Sequence, residues 1–165
     1  MEFKLGPHDS LTQSSTPWVF GEDGDAVALE RAMCDFMVEN HGIGLAANQI
    51  GLTKRVFVIG SSNIAGFPAP FACFNPQILE VSKEQINYKE GCLSYPDLWI
   101  SINRPAVIKV EYQDSLGNIH EAAMSGLIAR CFQHELDHLD GICFVDKVSS
   151  LKLQLAMKKL RKKRK

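Results

Sequence analysis

No apolar run in this chain of 165 residues approaches the roughly 18 that a membrane helix needs. The opening stretch, MEFKLGPHDSLTQSS, lacks the apolar core of a signal peptide. The first arginine is Arg31, too late for an arginine-rich transit segment. The expectation is a soluble, cytoplasmic protein. Cysteine is sparse and odd in number: Cys34, Cys73, Cys92, Cys131 and Cys143. Their wide spacing argues against a disulfide framework and for reduced thiols. Each is then a small buried hydrophobe unless it binds metal. Acidic residues are missing from 151–165, which hold eight of the eighteen Lys and Arg. Residues 1–150 carry ten basic and nineteen acidic residues, so a body of −9 hides behind a total of −1. An acidic body with a basic tail suits a polyanionic partner.

What is present is ordinary for a globular protein: 45% hydrophobic and 22% charged residues. The length predicts one domain over 1–150 followed by a basic tail or helix over 151–165. Residues 1–24, rich in Ser, Thr, Gly and Pro, predict an irregular arm on the surface. Leu29, Met33, Phe36 and Met37 recur at helical spacing, with Asp25 as N-cap and Gly42 as stop. RVFVI at 55–59 reads as a buried strand. Extended segments are expected at 71–81 and 84–89. Ile108, Val110 and Tyr112 alternate with Lys109, Glu111 and Gln113 in a half-buried strand. Ser115–Asn118 turns the chain, and 119–124 returns as the partner. A helix from about Gly126 to Leu139 and an amphipathic helix over about 149–163 complete the chain. The order predicts an α+β class: antiparallel β-sheets packed around a central helix, with a short C-terminal helix.

The densest chemistry is His134-Glu135-Leu136-Asp137-His138. On a helix, positions i and i+4 share a face, so both imidazoles can reach one metal ion. Glu135 is placed to work on a metal-bound water. The bland alternative is two surface histidines on a charged helix. Against it, the same stripe continues upstream through Cys131 and Leu127, so the histidines end an apolar face that can floor a pocket. Two histidines leave a metal short of ligands. Cys92, in Glu90-Gly91-Cys92-Leu93-Ser94, is the best third candidate, the alternative being a core thiol. A Cys, His, His set suits Zn²⁺ or Fe²⁺ and leaves a position for water.

Three blocks together resemble peptide deformylase: Gly42-Ile43-Gly44-Leu45-Ala46-Ala47-Asn48-Gln49, then Glu90-Gly91-Cys92-Leu93-Ser94, then Gln133 with the HExxH sequence. They stand in that family's order and at similar spacing over about 25–148. The opening departs from the family pattern; Gly6-Pro7-His8-Asp9-Ser10-Leu11 is only a loose echo of its Pro-Asp-Pro-Xaa-Leu turn. Asn48 fills a position that varies in the family.

The resemblance implies a metal-dependent hydrolase that removes the formyl group from N-terminal formylmethionine and releases formate. It implies Cys92, His134 and His138 as ligands of a divalent metal, Fe²⁺ physiologically, with Zn²⁺, Ni²⁺ or Co²⁺ able to replace it. Glu135 would move the proton from water to the leaving amine. The Gln49 amide and the Leu93 backbone N–H would stabilise the oxyanion; the alternative for Gln49 is an amide that only satisfies a loop. Leu127 and Cys131, closed by Ile43, are expected to form the methionine slot. The substrate backbone should lie against Ile43, Gly44 and Gly91 as an added strand. Arg130 is either at the pocket rim or a solvated helix charge. Tyr88, Trp99 and 61–70 carry no assigned role, and His41 and His120 read as surface or boundary residues. The implied partners are N-formyl-methionyl nascent peptides and, through the basic tail, the ribosome; a solvated tail is the alternative. Neither DNA nor membrane is expected. Competing readings are a metallopeptidase with another third ligand, and a binding protein that has lost catalysis. The first leaves Cys92 and Gln49 unexplained; intact Glu135 argues against the second.

Overall fold

A computed structural model describes residues 1–163. In chain order the elements are α1 (Asp9–Thr12), α2 (Ala26–Glu39), β1 (Gly44–Ala46), a 3-10 turn (Ala47–Ile50), β2 (Val56–Ile59), β3 (Phe71–Val81), β4 (Gln85–Cys92), β5 (Tyr95–Pro105), β6 (Val107–Gln113), β7 (Ile119–Ser125), α3 (Gly126–Leu139), a second 3-10 turn (Phe144–Lys147) and α4 (Ser150–Lys163). All named strand pairs are antiparallel. One sheet has five strands in the order β1-β2-β3-β6-β7; the other is the β4-β5 hairpin. The class is α+β, with antiparallel sheets and several helices.

Strand β2 explains how the layers stack. All four of its residues are buried. Successive side chains of a strand point to opposite faces. Val56 and Val58 join Met33, Met37 and Trp18 in the core beneath α2. Phe57 and Ile59 join Phe132, Leu139 and Ala129 in the core beneath α3. The Phe57 and Phe132 rings meet edge to face, centroids 4.9 Å apart. An uninterrupted apolar run is what a strand covered on both faces requires. Helix α3 thus lies in the interior, packed against β1, β2, β5, β6 and β7. Helix α2 starts as its sequence indicates, with the Asp25 carboxylate accepting from Ala28 N–H.

The structure corrects two expectations. Residues 1–24 do not merely lie on the surface: Leu11 and Trp18 are buried, Ser15 N–H donates to Leu139 C=O at 2.7 Å, and Asn75 clasps the backbone of Trp18. Two apolar plugs outweigh the polar composition around them. The second correction is β5, eleven residues long and absent from the sequence reading. Its period-2 pattern is present, with Leu98, Ile100 and Ile102 inward, but Arg104 continues that inward register and hides it. Helix α4 docks on this hairpin through Leu153, Ala156 and Leu160. Leu151 and Leu155 stay exposed, as do Arg161 and Lys162. Arg164 and Lys165 lie outside the described residues.

Candidate metal centre and cleft

Helix α3 presents Cys131, His134, Glu135 and His138 on its buried side. Strand β4 ends at Cys92, where a register irregularity after Glu90 lets Tyr95 pair with Cys92. The ligating atoms of Cys92, His134 and His138 all lie within 4.8 Å of one another. Cys92 Sγ is 3.2 Å from His138 Nε2, and the two imidazole centroids are 5.0 Å apart. This is the only such Cys/His/carboxylate group of three or more among the described residues. A thiolate and two imidazoles converging on one point fit a divalent ion of the Zn²⁺ or Fe²⁺ kind.

The surroundings favour ligation. His134 Nδ1–H donates to Glu90 Oε2 at 2.9 Å, which leaves Nε2 free for a metal. Burial pushes the His138 imidazole well below its ordinary range, keeping it in the neutral form that binds metal. Its backbone carbonyl accepts from the Asn48 side chain, which ties the first motif block to α3.

Glu90 is the hub of a buried charge network. Its Oε1 accepts from Arg104 Nε at 2.7 Å and Arg130 Nη1 at 2.6 Å; its Oε2 also accepts from Arg104 Nη2 at 3.0 Å. Arg104 Nη1 reaches Asp137 Oδ2 at 2.7 Å, and Lys147 holds the other oxygen of Asp137 at 2.8 Å. Burial pushes the Glu90 carboxyl up, but hydrogen bonds from His134 and Arg104 outweigh it and hold the pKa at about 2.

Glu135 is different. Its Oε2 is buried without a hydrogen-bond partner among the described residues. Burial raises its pKa to about 7, against the lowering pull of His134 and Arg104. Gly44 makes room for it: a Cβ there would stand 2.2 Å from Glu135 Oε1.

Gln49 is oriented rather than loose. Its Oε1 accepts from Ala46 N–H at 2.8 Å. Its Nε2 is thereby turned toward the site, 3.1 Å from Ser94 Oγ and 3.4 Å from Cys92 Sγ.

Ile43, Gly44, Gln49, Gly91, Cys92, Leu93, Leu127, Cys131, His134 and Glu135 line one cleft of about 820 Å³. His138, fully buried, lies beneath it. Cys131 Sγ donates to Ile43 C=O at 3.2 Å, closing one end of the apolar slot that Leu127 continues. The structure thus brings together the residues named from the sequence as metal ligands, catalytic groups and substrate contacts.

Arg130 lines the cleft, as the pocket-rim reading has it, and is not a solvated helix charge. It is buried, and besides Glu90 it donates to the carbonyls of Ile86 and Ile102, pinning the β4-β5 hairpin to α3. Tyr88 and Trp99 are neither core nor idle surface: both are exposed and line the cleft. His41 lines it too, whereas His120 pairs with Asp114 at a distant turn. The sequence reading missed Glu90, Arg104 and Asp137 as a network. The inward register of Arg104, two residues beyond Ile102, was the signal that could have found it.

The family model described as polypeptide deformylase matches residues 2–154. The chain belongs to the peptide deformylase family. A peptide deformylase of Rhizorhabdus wittichii is 44% identical over 163 residues, spanning 96% of this chain and 92% of the relative. The crystal structure of a peptide deformylase from Synechococcus elongatus in complex with actinonin superposes with a TM-score of 0.87 at 33% identity, covering 96% of this chain and 85% of that one. That from Ehrlichia chaffeensis, also in complex with actinonin, gives 0.86 at 36% identity, covering 99% and 96%. Peptide deformylases are metalloenzymes, and the Cys92, His134, His138 group stands where this chain can hold the ion.

Proposed function

We propose that this chain hydrolyses the formyl group from the N-terminal formylmethionine of newly made polypeptides and releases formate. The observation that carries the reading is the bare Glu135 oxygen beside the Cys92, His134, His138 group, under a cleft that Gln49 faces.

Cys92, His134 and His138 would hold the metal. When bound, the ion supplies Lewis acidity and eases deprotonation of water. We assign Fe²⁺, on the family resemblance; the same donors accept Zn²⁺, Ni²⁺ or Co²⁺. Glu135 Oε2 takes a proton from the attacking water and returns it to the leaving amine nitrogen as the C–N bond breaks. Burial, which raises the Glu135 carboxyl, favours its taking up that proton. Gln49 Nε2 donates to the oxygen that becomes negative, and the Leu93 backbone N–H is the second donor. Because Gln49 Oε1 is already engaged by Ala46, the amide plane is held with Nε2 toward the site.

The methionine side chain enters the slot of Leu127, Cys131 and Ile43. The peptide backbone lies extended along Ile43, Gly44 and Gly91. Residues 1–150 act as one catalytic domain in the cytoplasm. The basic segment 151–165 docks by its apolar stripe and offers Lys and Arg side chains to ribosomal RNA phosphates. No helix among the described residues is long and apolar enough to cross a membrane.

The test is formate release from formyl-Met-Ala-Ser, with unformylated Met-Ala-Ser as the control for peptidase action. Formate from the first and no amino acid from the second is the expected result. Cleavage of Met-Ala-Ser would overturn the reading.

A further inference from the structure

Phe3 and Leu5 also line the cleft, although the first motif block begins only at Gly42. The arm that carries them is anchored on both sides of Leu5. Lys4 N–H donates to Gln49 C=O at 2.7 Å, and Gly6 N–H donates to Ser94 C=O at 2.9 Å. Phe3 packs on Phe36 with ring centroids 4.6 Å apart. At Gly6 the arm presses so closely on Tyr95 that a Cβ would stand 2.1 Å from the ring. The backbone is thus strapped across two of the blocks that build the site, while the Leu5 side chain is left 55% exposed. Leu5 is not a scattered surface leucine: it stands in the wall of the cleft with Phe3 and Leu93, held by its backbone and open to a ligand.

The cleft has room for more than one residue. At about 820 Å³ it is in the range that encloses a drug-sized ligand, and formylmethionine is smaller than that. An extended peptide sends successive side chains to opposite faces. If the first side chain enters the slot floored by α3, the second points away from α3. Apart from α3 and the β4-β5 hairpin, whose turn carries Leu93, the apolar lining comes from Phe3, Leu5 and Ile43.

We propose that Leu5, backed by Phe3 and Leu93, is a specificity-determining contact for the side chain of the peptide's second residue, and favours an apolar one. The proposal rests on the deformylase reading.

The experiment compares the wild type with Leu5→Ala and Leu5→Glu. The substrates are formyl-Met-Leu-Ser, formyl-Met-Gln-Ser and formyl-Met-Lys-Ser. Selectivity is read twice, as kcat/KM for formate release and as Kd for the three unformylated product peptides. The wild type should prefer Leu over Gln at the second position. Leu5→Ala should shrink that preference about five-fold, through KM and Kd rather than kcat. Leu5→Glu should raise the rank of Lys, an effect that a merely structural residue would not produce. Leu5 is exposed, so its replacement leaves the core intact, and the Lys-directed gain is independent of overall stability. Unchanged ratios in both readouts overturn the proposal. Ratios in Kd that follow residue 5 without formate release from any peptide support the contact and overturn the deformylase reading instead.

Discussion

Glu90 Oε2 accepts from His134 Nδ1 at 2.9 Å while the same carboxylate neutralises Arg104 and Arg130. One side chain therefore orients a metal ligand and balances two buried cations. Glu90→Gln keeps the shape but removes the charge. Metal affinity should fall about 10–100-fold, because the ligand loses its orienting acceptor. Stability should fall by about 3–5 kcal/mol, because two guanidiniums are left buried and undercompensated. Competitive chelation and urea denaturation measure the two effects separately.

The same group makes the fold acid-sensitive. Its pKa is lowered from an ordinary 4.5 to about 2. A depressed carboxyl contributes stability that is fully present above its unfolded value and is lost as pH falls through the folded one. The contribution, on the order of 3 kcal/mol, should disappear between about pH 4.5 and pH 2. Thermal melts across this range should show the loss, and Glu90→Gln should flatten it.

Glu135→Ala should retain metal and fold while turnover drops by about 10²–10⁴ or more, the usual scale of a general acid–base group. Removing this carboxyl also removes a buried oxygen with no partner, so the melting temperature should hold or rise. Metal analysis alongside formate release checks the assignment; a variant that stays active excludes it.

Cys92→Ser should lose soft-metal affinity sharply, since a hard oxygen replaces the thiolate. Cys34→Ala should keep metal and rate, because Cys34 lies half-buried in the core under α2, and its thiol is pushed up to about 12 by burial and by Glu30. Metal content of the two purified variants decides whether only one of these thiols matters.

Truncation after Met157 should weaken ribosome co-sedimentation and leave activity on a free formyl-Met peptide intact. Binding by the full chain should weaken with salt at a log–log slope of roughly −0.7 to −0.9 per phosphate contact. The cut also removes Leu160, one of three α4 side chains packed on β5, so α4 should fray.

The site was legible because its residues cluster in sequence. His134, Glu135 and His138 share a helix face, and Cys92 and Gln49 sit in short glycine-containing blocks. The strand expected over 106–113 followed from apolar alternation, and the extended segment at 71–81 and the helix at 126–139 were placed within the same reading. What could not be read was held together across long separations. Arg130 was judged by its helix position alone, and its partners lie on other elements: Glu90 and Ile86 on β4, Ile102 on β5. Residues 1–24 looked polar because composition averages over Leu11 and Trp18, the two side chains that bury them. Strand β5 was obscured because a buried arginine interrupts an otherwise apolar face.

Strand β2 faces two cores at once, and β3 repeats the division: Cys73 turns toward α3, Ala72 and Phe74 toward α2. The two cores have different helices but share the sheet as a common wall. Opening one exposes the back of the strand that closes the other, so the halves cannot melt in separate steps. For the metal-free protein, the calorimetric and van't Hoff enthalpies of unfolding should therefore agree. Amides of β2 should exchange with solvent only through global unfolding, and a substitution beneath α2, such as Met33→Ala, should loosen the catalytic helix on the far side of the sheet.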